Sequence, residues 1–256
     1  MEQANLSGEI DFTLGYRDPE NAMISNGTSN GAVLAAQRID NFICPSEVQD
    51  QVRLDGSTPE HYPLNYGSNA GVWFVFDPEG APEELRKGGG RVGSGSITTN
   101  QSQRISAISD GTSNTLMFSE VRAFTPYLRD GGGAPTNPPS SPAEILGLGG
   151  NLRETSGHTE QVDGRSHQTG FTAVFTPNTE VLRVESSGVE LNIDWTIQRE
   201  GRAYAPTFAA ITSRSYHTGG VNATNVDGST RFVSDSIDLI AWRALASRNG
   251  GEVVNE

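Results

Sequence analysis

The sequence predicts an α+β protein that is predominantly antiparallel β, with long Gly- and Pro-rich loops and a C-terminal helix packed on a sheet. Three observations lead to this fold class. The 256 residues include 30 Gly and 13 Pro, and only 34 % are hydrophobic, so turns and loops must make up much of the chain. Short apolar runs rich in β-branched and aromatic residues end at turn residues, which is typical of strands. One segment near the C-terminus instead repeats its apolar residues at helical spacing.

The first half of the chain contains one clear strand. Residues 72–76 form an aromatic and β-branched run that ends at Asp77-Pro78, as a buried strand does. Before it, residues 32–43 are compatible with helix or strand, and residues 65–71 are turn-like. Other strand-like segments lie at residues 115–121, 171–175 and 208–212.

The second half contains the sharpest β patterns. Residues 189–197 alternate apolar and polar side chains without a break, which predicts one amphipathic strand with Trp195 in the core and Asp194 in solvent. Residues 221–226 and 229–233 flank Asp227-Gly228. This arrangement predicts a β-hairpin whose tight turn needs the positive φ that glycine adopts readily.

The predicted C-terminal helix begins after this hairpin. Ser234 is the expected N-cap, because a serine oxygen can accept a hydrogen bond from the first free amides of a helix. Asp235 and Asp238 then stand in the first turn and Arg243 near the end, the charge order that the helix dipole favours. Apolar residues at helical spacing predict that one face packs on the sheet, and Gly250-Gly251 ends the helix.

We expect a single domain over residues 1–256 with surface loop insertions at residues 77–100 and 130–170. Both stretches are rich in Gly, Pro and polar residues, which are typical of exposed loops. His158 and His167 fall in the second insertion and are therefore expected in a mobile loop.

Charge, hydropathy and cysteine content exclude several classes of protein. Lys plus Arg total 18 against 31 Asp plus Glu, for a net charge of −13, and such a chain repels nucleic-acid phosphates and anionic lipids. No run of about 18 apolar residues occurs, so the sequence as given does not span a membrane. Cys44 is the only cysteine, which excludes an internal disulfide and a cysteine-rich zinc site and predicts a small buried side chain.

Catalytic motifs are weak in this sequence. Residues 27–31 match the G-x-S-x-G pattern, with Asp110 and His217 in the order of a hydrolase triad, but the preceding segment is polar and unlike the buried strand of a nucleophile elbow. The four histidines lack the spacing of a zinc enzyme, and no two of the 31 carboxylates stand out as a glycosidase pair.

The run Asp-Gly-Thr-Ser-Asn at residues 110–114 has two interpretations. Its Asp, Ser and Asn side chains favour a rigid turn before the next strand, because they hydrogen-bond to nearby backbone amides. The alternative is an oxygen-rich cation site that involves Asp110 and Glu120.

Four ordered motifs resemble one known family. Nine residues separate His217 from Asp227-Gly228, as in the C-terminal signature of the planctomycete-type domain of unknown function associated with prepilin processing, often called the H-x9-DG family. Upstream, residues 44–47 resemble its Cys-Pro-Ser-Asp, residues 65–67 its Asn-Tyr box, and residues 110–120 its Asp-Gly-Thr-Ser-Asn strand. Glu47 replaces the usual Asp and keeps a carboxylate there. The motif residues, expected to be structural, are Cys44, Pro45, Ser46, Asn65, Tyr66, Asp110, Gly111, Ser113, Asn114, Glu120, His217, Gly220, Asn222, Asp227 and Gly228.

The resemblance implies a β-rich, pilin-like globular head in the cell envelope, periplasmic or extracellular, with no established enzymatic activity. Its expected partners are other pilin-like subunits or components of a type II secretion or type IV pilus-like system. Family members usually begin with a prepilin leader and a long apolar helix, and they commonly carry a cysteine after that helix which could pair with Cys44. This sequence shows no such leader or helix, so we expect a truncated or naturally short form that meets a membrane only through the missing helix.

Two further expectations concern ligands. The alternative function is an extracellular carbohydrate-binding or glycoside-hydrolysing module, suggested by the Gly-rich insertions and by Tyr66, Trp73 and Trp195. The cofactor considered is Ca²⁺, bound at Asp110, Asp227 or Asp235, as metal stabilises the heads of some major pseudopilins.

Overall fold

The computed structural model describes residues 4–16, 33–79, 89–197, 200 and 205–252. Its strands are β1 Arg53–Asp55, β2 Thr58–His61, β3 Tyr66–Asn69, β4 Phe74–Asp77, β5 Arg91–Val92, β6 Leu116–Glu120, β7 Thr125–Arg129, β8 Asn151–Gly157, β9 Gly170–Phe171, β10 Leu182–Val184, β11 Glu190–Asn192, β12 Asp194–Thr196, β13 Thr207–Ala210, β14 Gly220–Asn225 and β15 Thr230–Ser234. Its helices are α1 Ala4–Ser7, α2 Pro142–Gly147, α3 Ser166–Thr169 and α4 Leu239–Leu245, with 3-10 helices at Leu34–Ala36, Asp40–Phe42 and Ile105–Ala107. The predicted α+β class is confirmed.

Most strands lie in two larger sheets. One has the order β15-β14-β6-β3-β9 and the other the order β5-β4-β13-β12-β7-β8, beside the small pairs β1-β2 and β10-β11. Among the described strands, the pairs β7-β12 and β3-β9 are parallel and the others antiparallel. The predicted predominance of antiparallel structure is therefore confirmed.

The five-stranded sheet contains the predicted hairpin. Strands β14 and β15 pair from Gly220↔Ser234 to Thr224↔Thr230, and Gly228 in the turn has a φ of 85°. Trp242 of α4 is fully buried against this sheet, and its ring stacks on that of Phe171 with centroids 5.9 Å apart. The predicted packing of the C-terminal helix on the sheet is thus confirmed.

The turn predicted at residues 65–71 is wrong, because β3 lies inside the five-stranded sheet between β6 and β9. Two features allow this polar segment to be a strand. Gly67 lets the neighbouring strand approach closely, since a Cβ there would lie 2.8 Å from the carbonyl oxygen of Gly170. The buried Asn69 amide donates to the carbonyl oxygens of Leu116 and Ala246 at 2.8 and 3.1 Å.

The single strand predicted at residues 189–197 is also wrong. Strand β11 pairs with β10, whereas β12 pairs with β7 and β13, so the chain changes partners at Ile193. Asp194, expected in solvent, is 3 % exposed and forms an ion pair with Arg214. The alternation of apolar and polar residues does not show which distant charges a side chain contacts. The Arg214 guanidinium pairs with the Asp194 carboxylate and so offsets the cost of burying it.

Helix α4 begins later than predicted. Its N-cap is Asp238, whose carboxylate accepts hydrogen bonds from the amides of Ile240 and Ala241 at 2.9 and 3.0 Å. Ser234 instead ends β15, and its hydroxyl lies 2.8 Å from that of Ser236. The cap prediction fails because the strand continues through Ser234 and a short turn precedes the helix.

The histidines of segment 130–170 are not in a mobile loop. His158 and His167 are 1 % and 3 % exposed, and the segment contributes α2, β8 and α3 to the fold. The His167 ring packs 5.0 Å from that of Tyr127, so apolar contact from β7 covers it. Within the described ranges, every helix falls short of the length and hydropathy that a membrane crossing requires.

Candidate functional site

Three of the four motifs each bring one side chain to the same place. The sulfur of Cys44 lies 3.5 Å from Nε2 of His217 and 3.6 Å from Oε1 of Glu120, and Nε2 of His217 lies 3.1 Å from the same carboxylate oxygen. In the part of the chain that the structure describes, these three form the group of His, Cys, Asp or Glu side chains whose potential ligand atoms lie within 4.8 Å of one another. We call this group the Cys–Glu–His cluster.

Glu120 is the centre of the cluster. It ends β6, which runs between β3 and β14, and it is 2 % exposed. Its Oε2 accepts a hydrogen bond from the Asn222 amide at 2.7 Å, and its Oε1 accepts one from the Asn222 side chain at 3.2 Å. The adjacent strand therefore fixes both oxygens of the carboxylate.

Cys44 is held by the second motif, through Asn65. Its amide donates to Oδ1 of Asn65 at 3.0 Å, while Nδ2 of Asn65 donates to the carbonyl oxygen of Val121 at 3.0 Å and to Glu47. Glu47 also accepts from the amide of Ala123 at 3.0 Å. The turn at residues 44–47, with Pro45 and Ser46 at its corner, is thus fastened to the end of β6.

His217 approaches the cluster from the loop before β14. Its amide donates to the hydroxyl of Ser215 at 3.1 Å, and that hydroxyl donates to the carbonyl oxygen of Gly220 at 2.7 Å. The His217 side chain is 32 % exposed, against 3 % for Glu120. The cluster therefore meets solvent on the histidine side.

The protonation and geometry of the cluster do not match a nucleophilic triad. Burial raises the pKa of the Cys44 thiol, and the nearby Glu120 carboxylate raises it further, whereas a cysteine nucleophile needs a lowered pKa. His217 faces both neighbours through Nε2, although a triad base uses one nitrogen for the nucleophile and the other for its carboxylate. The Tyr66 phenol borders the cluster. Burial raises the pKa of this phenol, and the nearby Cys44 and Glu120 raise it further.

The turn predicted at residues 110–114 is present. Gly111 has a φ of 97°, and the Asn114 side chain donates to the carbonyl oxygen of Asp110 at 3.2 Å. The Asp110 carboxylate accepts from the amides of Gly250 and Gly251 at 2.7 and 3.1 Å. This corner, in which Ser113 is exposed, therefore holds the backbone at Gly250 and Gly251.

The proposed Ca²⁺ residues lie apart from the cluster. Asp227 accepts hydrogen bonds from the amide and hydroxyl of Ser229, and Asp235 accepts from the side chain of Asn178 at 2.7 Å. Among the described residues, Asp110, Asp227 and Asp235 belong to no group of three converging metal ligands, and Glu120 converges with Cys44 and His217 instead of Asp110. The G-x-S-x-G match at residues 27–31 lies outside the described residues.

A buried ion pair was missed by sequence reasoning. Oδ1 of Asp194 accepts from Arg214 and from the amide of Thr212 at 3.0 Å, while Nε2 of His158 lies 3.8 Å from the other oxygen. Burial alone would raise the pKa of Asp194, but Arg214 and His158 together lower it. The sequence contains one sign of this pair, because Arg214 is a single charged residue shortly after an apolar strand. Nothing in the sequence identifies its partner.

A large polar cavity was also not predicted. It has a volume of about 1160 Å³, and its lining includes Arg53, Tyr127, Asp163, Arg165 and His167. Burial lowers the pKa of His167 to about 3, so its imidazole is neutral at physiological pH. This cavity and the Cys–Glu–His cluster share no lining residue.

Comparison with models of known protein families identifies a family for this chain. The model of a family described as "Protein of unknown function (DUF1559)" matches residues 1–239. No curated protein and no solved structure matches the chain.

Proposed function

We propose that this chain, which belongs to the DUF1559 family of proteins of unknown function, is a structural protein of the cell envelope. In this proposal it forms the head of a pilin-like subunit in a type II secretion or type IV pilus-like assembly. Its motifs would hold the head together and would not catalyse a reaction.

The observation that carries the proposal is the mutual bonding of the motifs. Asn65 of the second motif binds the amide of Cys44 in the first, and Glu120 of the third binds the amide of Asn222 in the fourth. Asp110 accepts hydrogen bonds from the amides of Gly250 and Gly251. Side chains used in this way join distant segments of the fold, which is the demand on a subunit that must remain rigid in an assembly.

The chemistry of the cluster supports a structural role as well. The raised pKa of the Cys44 thiol leaves it protonated at neutral pH in the absence of a bound cation, and a thiol is a poor nucleophile. The assembly itself is supported by the resemblance of the four motifs to proteins associated with prepilin processing.

The test is the location and processing of the native gene product. With an affinity tag after residue 256, the protein should appear in envelope fractions, and its mature N-terminus should follow a cleaved leader. Immunogold labelling should place it on filaments or at secretion complexes. A product confined to the soluble cytoplasm, uncleaved and never in an assembly, would contradict the proposal.

A second candidate function is carbohydrate binding, which the large cavity favours. Trp73 and Trp195 cannot stack on a sugar as the sequence suggested, because they are 2 % and 0 % exposed and stack on each other with centroids 5.5 Å apart. The cavity instead offers guanidinium, carboxylate and neutral imidazole groups that suit a polyhydroxyl ligand. A glycan array with a hydrolase screen, repeated for Arg165→Ala, tests it. Blank results on both would remove this candidate.

A further inference from the structure

The distances within the Cys–Glu–His cluster match the edges of a metal coordination tetrahedron. Zinc binds thiolate sulfur at about 2.3 Å and imidazole nitrogen or carboxylate oxygen at about 2.0–2.2 Å. At tetrahedral angles these bonds imply sulfur–nitrogen and sulfur–oxygen separations of about 3.6 Å and a nitrogen–oxygen separation of roughly 3.3 Å. The structure has 3.5, 3.6 and 3.1 Å.

We propose that Cys44, Glu120 and His217 bind one Zn²⁺ ion, with a water molecule in the fourth position. The site goes beyond the structural role proposed above, because a head domain could assemble with or without a metal. It differs from the Ca²⁺ sites predicted from the sequence in its residues and in its ligand chemistry.

The surroundings of the cluster orient its ligands. A metal site needs its ligands held in place by further hydrogen bonds. Here the Asn222 amide and side chain hold Glu120 at 2.7 and 3.2 Å, and Asn65 holds the backbone of Cys44 at 3.0 Å. The third ligand, His217, is anchored through its amide to Ser215. Each ligand is therefore positioned before an ion arrives.

The ligand types select the ion. A thiolate and an imidazole are soft to borderline donors that favour Zn²⁺, whereas Ca²⁺ takes six to eight oxygen ligands. One thiolate, one carboxylate and a neutral imidazole balance the charge of a divalent ion. The 32 % exposure of the His217 side chain provides an entry path and leaves room for the water ligand.

A hydrogen-bonded trio without metal is the competing explanation. The same distances allow both the Cys44 thiol and the His217 ring to donate to Glu120. Two conservative substitutions separate the explanations. Cys44→Ser and His217→Gln keep a donor at each position but remove the thiolate and the imidazole, so they preserve the hydrogen bonds and destroy the metal site.

The experiment uses the reduced, EDTA-treated 256-residue chain. Addition of Co²⁺ should produce intense tetrahedral d–d absorption and a thiolate-to-cobalt charge-transfer band, and Zn²⁺ should abolish both at one equivalent. At a hundredfold excess over its dissociation constant, Zn²⁺ should raise the melting temperature by about 5–10 °C. Zn²⁺ should also protect the thiol from an alkylating reagent, as measured by intact mass. Because Cys44 is the only cysteine, this protection reports on Cys44 alone.

The variants decide the outcome. In EDTA, Cys44→Ser and His217→Gln should have the melting temperature of the wild type. Both should lose the cobalt spectrum and bind Zn²⁺ more than ~100-fold less tightly, since substitution of residues that only hydrogen-bond to metal ligands already lowers metal affinity about 10–100-fold. Asp110→Asn should bind Zn²⁺ like the wild type. Absence of the charge-transfer band in the wild type, or equal Zn²⁺ affinity in all variants, would overturn the proposal. Ca²⁺ should change none of these measurements, and a Ca²⁺ effect that both variants abolish would also contradict a zinc site.

Discussion

Replacement of Asp194 by asparagine removes one half of an ion pair that is buried on both sides. Asp194 and Arg214 are each 3 % exposed. Asparagine keeps the volume of the side chain and an oxygen that can still accept from the Thr212 amide. The main change is therefore the loss of the negative charge beside the Arg214 guanidinium.

The expected cost follows from the burial of that guanidinium. Breaking a buried pair by removing one partner costs about 3–5 kcal/mol, because the other charge is left uncompensated. Arg214 retains its hydrogen bonds to Asn192 and to the carbonyl oxygen of Ile193, both at 3.2 Å, but neither acceptor carries a full charge. For a chain of this size the loss corresponds to a fall of roughly 6–20 °C in melting temperature.

The assay is urea unfolding followed by tryptophan fluorescence, with Asp55→Asn as the matched control. Asp55 is exposed on β1, so its substitution should change the free energy of unfolding by less than about 0.5 kcal/mol. The double variant Asp194→Asn/Arg214→Gln removes both charges and should lose less than the sum of the two single variants. A loss below about 1 kcal/mol for Asp194→Asn, or strict additivity in the double variant, would refute the reasoning.

Three further outcomes follow from burial, capping and close packing. Burial lowers the pKa of His167 from its ordinary 6.5 to about 3, so between these values the unfolded chain binds a proton that the folded protein excludes. The contribution of His167 is therefore complete above pH 6.5 and is lost as the pH falls towards 3. Between pH 7 and 5.5, the free energy of unfolding measured in urea titrations should fall by about 1 kcal/mol more for the wild type than for His167→Gln. Parallel pH profiles of the two proteins would contradict this. Asp238→Ala should cost about 1 kcal/mol through loss of the α4 N-cap, whereas Ser234→Ala should cost under ~0.5 kcal/mol; the reverse order in thermal melts would favour the sequence-predicted cap. Gly67→Ala should cost about 1–3 kcal/mol because the new methyl group meets a backbone carbonyl at 2.8 Å. Gly132→Ala, with nothing within 4 Å of its Cβ, is the control, and equal stability of the two variants would argue against the close approach.

The parts of the fold that could be predicted depend on local chemistry. The Asp227-Gly228 turn and the aromatic run of β4 are set by residues adjacent in the chain, and both are present. The strand at β3 was missed because its stability comes from elsewhere. A glycine permits close approach there, and the Asn69 amide bonds to backbone carbonyl groups 47 and 177 residues away. No local pattern contains that information.

The candidate site divides in the same way. Its three side chains belong to motifs that were found in the sequence, but their meeting depends on the pairing of β6 with β14 and on the turn at residues 44–47. Cys44 and His217 are 173 residues apart, and zinc motifs are recognised by short spacings between ligands. A three-ligand cluster assembled by topology is therefore invisible to a search for spaced motifs.

The corner at Asp110 has a consequence for the motions of Gly250 and Gly251. Its carboxylate holds the amides of Gly250 and Gly251, which lie 140 and 141 residues further along. Exposed residues outside helices and strands, such as Gly250 and Gly251, ordinarily exchange their amide hydrogens rapidly with solvent. Here these two amide hydrogens are released only when their contact with the corner breaks, and the corner is continuous with β6 at the centre of the five-stranded sheet. We expect hydrogen exchange at Gly250 and Gly251 to be slowed together with exchange in the corner, so that these two glycines open as part of the sheet's cooperative unit.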